Sequence, residues 1–145
     1  MTDTLTCISP GDGRVFVERK LATQGEIGLA LKRARQAQMQ WRRVPVADRA
    51  AIVERFVQYF EAQRDAVAKE ITRQMGRPIR HSPGEMKGLA ERARTMAGYA
   101  EAELADLAVE PKPGFTRFIR REPLGVIAAI IPWNAVTLLR CLASG

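Results

Sequence analysis

Apolar positions along this chain follow two rhythms. Over the first two-thirds they recur every three to four residues. Ile27, Ala30, Leu31, Ala34, Ala37 and Trp41 fall on one face of a helix. Val53, Phe56, Val57 and Phe60 occupy i, i+3, i+4 and i+7 of a second helix, and Val67, Ile71 and Met75 continue it after a bend near Ala62–Arg64. A third long helix is expected from about Glu85 to Asp106, with Met86, Leu89, Ala93, Met96, Ala97, Ala100 and Leu104 facing inward. Beyond the breaker cluster Pro111-Lys-Pro-Gly114 the period drops to two. Phe115, Arg117, Ile119 and Arg121 alternate against Thr116, Phe118 and Arg120, as in a strand with two unlike faces. Val126–Ile131 is then uninterruptedly apolar, the pattern of a strand buried within an α/β sheet.

Punctuation residues sharpen these boundaries. Thr23 and Glu26 have the spacing of a capping box, in which each side chain satisfies a free backbone donor of the other. Gly28 weakens that helix by about 1 kcal/mol relative to alanine, so close packing is expected around it. Pro45 opens the second helix; Gly76 and Pro78 stop the next one. A loop spans His81-Ser-Pro-Gly84. Residues 1–14 read as an irregular lead-in with a turn at Pro10-Gly-Asp-Gly13, followed by a short strand at Val15-Phe-Val17. The order, long helices and then two strands, places the chain in the α/β class with its sheet hardly begun. A self-contained α/β domain needs more strands to cover these helices, so the architecture is read as incomplete.

The net charge of +7, mostly from arginine, admits a nucleic-acid or acidic partner. The basic residues are spread among carboxylates along helix faces, which instead suits one basic part of a better balanced protein. Neither a recognisable reading motif nor a set of interleaved aromatics accompanies them. The uncharged stretch Pro123–Leu139 is shorter than the ~20 residues that span a bilayer. Residues 1–6 lack the basic and apolar regions of a signal peptide. No membrane, no nucleic acid and a reduced cytoplasmic setting are therefore the expectations. Cys7 and Cys141 belong to no metal-ligand cluster and read as ordinary small apolar residues.

The chemistry concentrates near residue 134. The segment Glu122-Pro-Leu-Gly-Val126, followed by Ile131-Pro-Trp-Asn134, resembles the aldehyde dehydrogenase superfamily. Ala37 to Trp41, Pro45, Arg49, Met75-Gly-Arg-Pro78, Pro113-Gly-Phe115 and Arg120-Arg-Glu-Pro123 agree with that resemblance. It implies oxidation of an aldehyde to an acid with NAD or NADP, in a homo-oligomeric parent. The fold it implies is the N-terminal part of the family's fold, long helices and then the first strands of a Rossmann-like cofactor sheet. Residues 15–114 would form the mainly helical part of the cofactor-binding domain, and residues 115–122 a strand of the oligomerisation sheet. Residues 123–145 would hold the first cofactor-sheet strand and a truncated tail.

Taken alone, Asn134 would serve as a helix cap. The resemblance makes it the oxyanion stabiliser, an uncharged amide with two N–H donors. By the same resemblance Ile131, Pro132, Trp133 and Asn134 line the cofactor cleft. The family's nucleophilic cysteine, general-base glutamate and ribose-contacting lysine fall beyond residue 145. Cys141, seven residues after Asn134, does not replace that nucleophile. Ala135–Arg140 lacks the proline that usually follows, which suggests a frameshift, deletion or fragment boundary near Ala135. The chain alone is therefore expected to be inactive and prone to self-association. A basic helical module, or a non-catalytic subunit pairing with a full-length paralogue, are the other readings.

Overall fold

A computed structural model of the protein describes residues 3–130. It opens with a hairpin. Strand β1 (Thr4–Ile8) pairs antiparallel with β2 (Val15–Lys20), matching Thr4 to Lys20 and Cys7 to Val17, with a register shift between Cys7 and Ile8. The expected irregular lead-in is thus a strand up to Ile8. Its alternating threonines read as a polar tail, whereas a β-branched segment becomes a strand once a partner takes its backbone hydrogen bonds. The expected turn is present: Ser9 N donates to Arg14 O and Gly13 N to Ser9 O, each at 2.8 Å.

Four helices follow: α1 (Gln24–Trp41), α2 (Val46–Ala62), α3 (Arg64–Met75) and α4 (Pro83–Glu103). The capping box at α1 is complete. Thr23 Oγ1 accepts from Glu26 N at 3.2 Å, and Glu26 Oε2 accepts from Thr23 N at 2.7 Å. The hydrogen bond from the Thr23 backbone, followed by one from the Thr23 hydroxyl to the same Oε2 at 2.8 Å, holds the Glu26 carboxyl below its ordinary range. Gln63 alone separates α2 from α3, at the bend the periodicity anticipated. Pro83 begins α4, where its fixed φ suits the first turn and its missing N–H costs nothing.

The core lies between α2 and α4. Val57 is fully buried against Leu89, Ala90 and Ala93, with Val53 and Phe56 packed on the cluster. The Phe56 and Phe60 rings meet with centroids 4.6 Å apart and planes tilted by 44°. Ala68 of α3 and Met86 of α4 are buried as well. Where α3 meets α4, Ser82 is wholly enclosed, and its hydroxyl lies 2.8 Å from that of Thr72.

Several expected burials fail. Met96 and Leu104 are exposed, and α1 buries no side chain at all. A Cβ on Gly28 would meet nothing within 4 Å, so the close packing expected there is absent among the described residues. Periodicity marks which face is apolar; burial also requires an element lying across that face.

The strands after α4 also differ from expectation. Among the described residues, β3 (Leu107–Ala108) and β4 (Phe118–Ile119) pair antiparallel, and Lys112 and Phe115 form an isolated bridge between them. The breaker cluster between them closes a turn, in which Phe115 N donates to Lys112 O at 3.1 Å and Gly114 has φ 79°. The alternating segment 115–122 therefore contributes two strand residues. Residues 126–130 pair with nothing among the described residues, and Ile130 is 97% exposed. An apolar run becomes a strand only beside neighbours that take its N–H and C=O groups.

Gly76 joins the hairpin to the helices. It ends α3 at φ 75°, a left-handed conformation that penalises any Cβ. A Cβ there would also lie 2.8 Å from Pro10 Cγ, so the β1–β2 turn rests directly on this glycine. Arg73 reaches over the Phe16 ring at 5.8 Å, and Cys7 Sγ lies 3.9 Å from Gln74 O, on the same side. Gly76→Ala is expected to lower stability by about 1–2 kcal/mol from backbone strain, and by more once Pro10 is displaced. Denaturant unfolding of both proteins measures this; an unchanged midpoint would contradict the assigned contact.

Candidate active-site segment

Ile131, Pro132, Trp133 and Asn134, the four candidate site residues, lie outside the described residues, as does Cys141. The structure does describe the segment that delivers them, and three consecutive side chains hold it. Glu122 Oε2 accepts from Arg42 Nη2 at 2.6 Å, just past the end of α1. Arg121 Nη1 faces Glu103 Oε2 at 3.7 Å, and Arg120 Nε faces Asp106 Oδ2 at 3.5 Å, both at the end of α4. The Arg120 guanidinium also lies 4.9 Å from the Phe118 ring centroid. Pro123 follows at once. Gly125 then takes φ 97°, a conformation open to glycine, and redirects the chain into the apolar run.

The strongest electrostatic feature lies elsewhere. Arg94 of α4 forks onto two carboxylates of α2. Its Nε and Nη2 donate to Glu54 at 3.0 and 2.9 Å, and its Nη1 and Nη2 donate to Glu61 at 3.0 and 2.8 Å. Glu54 and Glu61 are seven residues apart, two turns of helix, and so point the same way. The Arg94 hydrogen bonds hold both carboxyls below their ordinary value, outweighing the opposing desolvation. They also push the Arg94 guanidinium up, Glu54 contributing most. Nothing about Arg94 is catalytic in geometry: each of its three nitrogens donates to these two partners, and it cross-links two helices. Sequence reading missed this triad, although the Glu54–Glu61 spacing was the available signal.

No group of three or more metal-ligating side chains occurs among the described residues, and no described helix is long and apolar enough to cross a membrane. Cys7 is half-buried, with the Gln74 carbonyl oxygen as its polar neighbour. Arg42, Arg77, Arg94, Arg120 and Arg121 each face a carboxylate. Five of the 23 basic residues thus face carboxylates within the fold.

The sequence profile of the aldehyde dehydrogenase family matches residues 1–144. This chain belongs to the aldehyde dehydrogenase family. It is 30% identical over 137 residues to malonate-semialdehyde dehydrogenase 3 of Geobacillus kaustophilus, a match that takes in 92% of this chain and 28% of that enzyme. Among solved structures it resembles the aldehyde dehydrogenase KauB from Pseudomonas aeruginosa, at 30% identity and a TM-score of 0.86 over 95% of this chain and 28% of that one. It resembles PnpE in complex with nicotinamide adenine dinucleotide equally in shape, with a TM-score of 0.86 at 26% identity and the same coverage of both chains. The chain thus spans a little over a quarter of the length of these aldehyde dehydrogenases. Its α/β class and its partial aldehyde dehydrogenase fold stand as expected.

The Arg94 fork has a definite pH signature. Both carboxyls titrate lower in the folded protein than their ordinary value of 4.5. Their stabilising contribution is therefore complete above that value and is lost as pH falls through the depressed folded values. In Arg94→Gln the two carboxylates face each other without a cation, so acidification should relieve repulsion there. Melting temperatures recorded downward from pH 4.5 should fall more steeply for the wild type than for Arg94→Gln. Parallel curves would remove the triad from the account of acid stability.

Proposed function

We propose that this chain supplies one wall and the oxyanion donor of an NAD(P)-dependent aldehyde dehydrogenase site. The observation that carries the reading is the family match across residues 1–144, which includes the Glu122–Asn134 segment. The complex of PnpE with nicotinamide adenine dinucleotide supports the cofactor class.

The donor set suits that chemistry. When a nucleophile adds to an aldehyde, negative charge develops on the carbonyl oxygen. The Asn134 amide can donate to that oxygen, and because it carries no charge it does not bind the neutral aldehyde strongly in advance. Pro132 fixes the backbone beside it and contributes no competing N–H. Ile131 and Trp133 offer apolar area against which a nicotinamide ring could lie, with the indole N–H as the polar point. NAD or NADP, when bound, accepts the hydride.

On the family resemblance, the nucleophilic cysteine and the general-base glutamate match no residue among these 145, and these residues by themselves are proposed to carry out no turnover. The exposed apolar faces of α1, of β4 and of residues 124–130 are the surfaces that the rest of an aldehyde dehydrogenase fold would cover. The compartment proposed is the cytoplasm.

Two measurements test this. The purified chain, mixed with aldehyde and NAD or NADP, should form no reduced cofactor; activity that persists after contaminating host enzymes are removed would defeat the claim. A chimera in which residues 1–134 replace the matching segment of the Geobacillus enzyme should reduce NAD in the presence of aldehyde. Asn134→Ala in that folded chimera should lower kcat by about 10²–10³. An unchanged kcat would return Asn134 to the role of a helix cap.

A further inference from the structure

We infer that Arg120, Arg121 and Glu122 form an electrostatic clasp, completed by Arg42, that positions the segment leading to Asn134. The inference rests on the proposed role of that segment, but its geometry stands independently. Three neighbouring residues divide their charges between two destinations. Two cations reach to the end of α4, at Asp106 and Glu103, and one anion reaches to the end of α1, at Arg42. The change of sign between Arg121 and Glu122 means that the end of α4 attracts the arginines and the end of α1 attracts the glutamate. The pattern therefore fixes a rotation of the chain about its own axis as well as a place.

The helix ends support the assignment. Arg42 caps α1, its N–H donating to Gln38 O and Gln40 O, and its position next to the negative end of the helix dipole is favourable. It is thus held by its own backbone before it meets Glu122. The pairing joins positions 80 residues apart. Residues 107 to 119 fold back between the two ends as the β3–β4 hairpin, with Arg120 stacked on Phe118 of β4. Immediately after the clasp, Pro123 stiffens the exit and Leu124 is 91% exposed, so apolar packing does little to hold the segment at that point. Direction is left to the charges.

Arg42 and Glu122 are accordingly positioning residues: they set where the apolar run departs and do not touch a substrate. The test uses the full 145-residue chain with Cys7 and Cys141 replaced by serine and a nitroxide on Ile127→Cys. Paramagnetic broadening of the amides of Gln38–Arg43 reports how close the run lies to the end of α1. Arg42→Gln and Glu122→Gln should each reduce that broadening at least twofold, and the charge swap Arg42→Glu with Glu122→Arg should restore it. Adding salt to ~1 M, where the screening length is about 3 Å, should reproduce the loss in the unsubstituted pair.

Unchanged broadening in the single variants and in salt would overturn the clasp. Loss without rescue by the swap would overturn its electrostatic basis. Because the measurement reads placement and not turnover, it can fail while the aldehyde dehydrogenase reading stands, and the reverse.

Discussion

The contact between α2 and α4 is the constraint on which the described structure depends. Val57 enters a surface made of Leu89, Ala90 and Ala93, and the two alanines allow the helices to approach closely enough for full enclosure. Burying a side chain of this kind contributes about 1.5–3 kcal/mol, whereas exposed ion pairs contribute little to stability. The apolar contact therefore decides whether the layer forms. Arg94, reaching from α4 to Glu54 and Glu61, links the same two helices at their exposed margin. Apolar enclosure and a charged link thus share one interface.

A second division separates the inner and outer parts of the chain. α2, α3 and α4 cover one another at Val57, Ala68, Met86 and Leu89, while α1, β4 and the apolar run leave large side chains in solvent. α1 persists through its capping box and its backbone rather than through burial. Such elements behave as surfaces prepared for a neighbour. That is consistent with a chain spanning a little over a quarter of the length of its relatives. Charge, not packing, orients the exit at Glu122, where the hydrophobic core has already ended.

The helices were legible in sequence because their signals are local. Thr23 with Glu26, Pro45, the Ala62–Arg64 bend and Gly76 each act within a few residues of where they stand, and each is found in place. The strands were less legible because pairing is not local. Thr4–Ile8 needed Val15–Lys20 to become a strand, and Val126–Ile130 shows no pairing among the described residues. Burial failed in the same way at Met96, Leu104 and Gly28, where an apolar or small position was expected to be covered. The family was readable from Glu122–Asn134 because a short motif retains its chemistry whatever surrounds it. The Arg120–Arg121–Glu122 clasp escaped notice for the opposite reason: its meaning depends on which helix ends lie opposite.

The seat of Pro10 on Gly76 bears on how this chain can vary over generations. Two positions 66 residues apart share one small volume, so neither is free to drift alone. A lineage that gained a side chain at the end of α3 would first have to lose the proline ring from the hairpin turn, and it would still face the positive φ. Gly13 in the same turn is constrained differently: a Cβ there would meet nothing within 4 Å, but its φ of 69° still favours glycine. Inherited change in this corner of the molecule should therefore be coupled, with Pro10 and Gly76 retained together for their shared volume and Gly13 retained for its backbone alone.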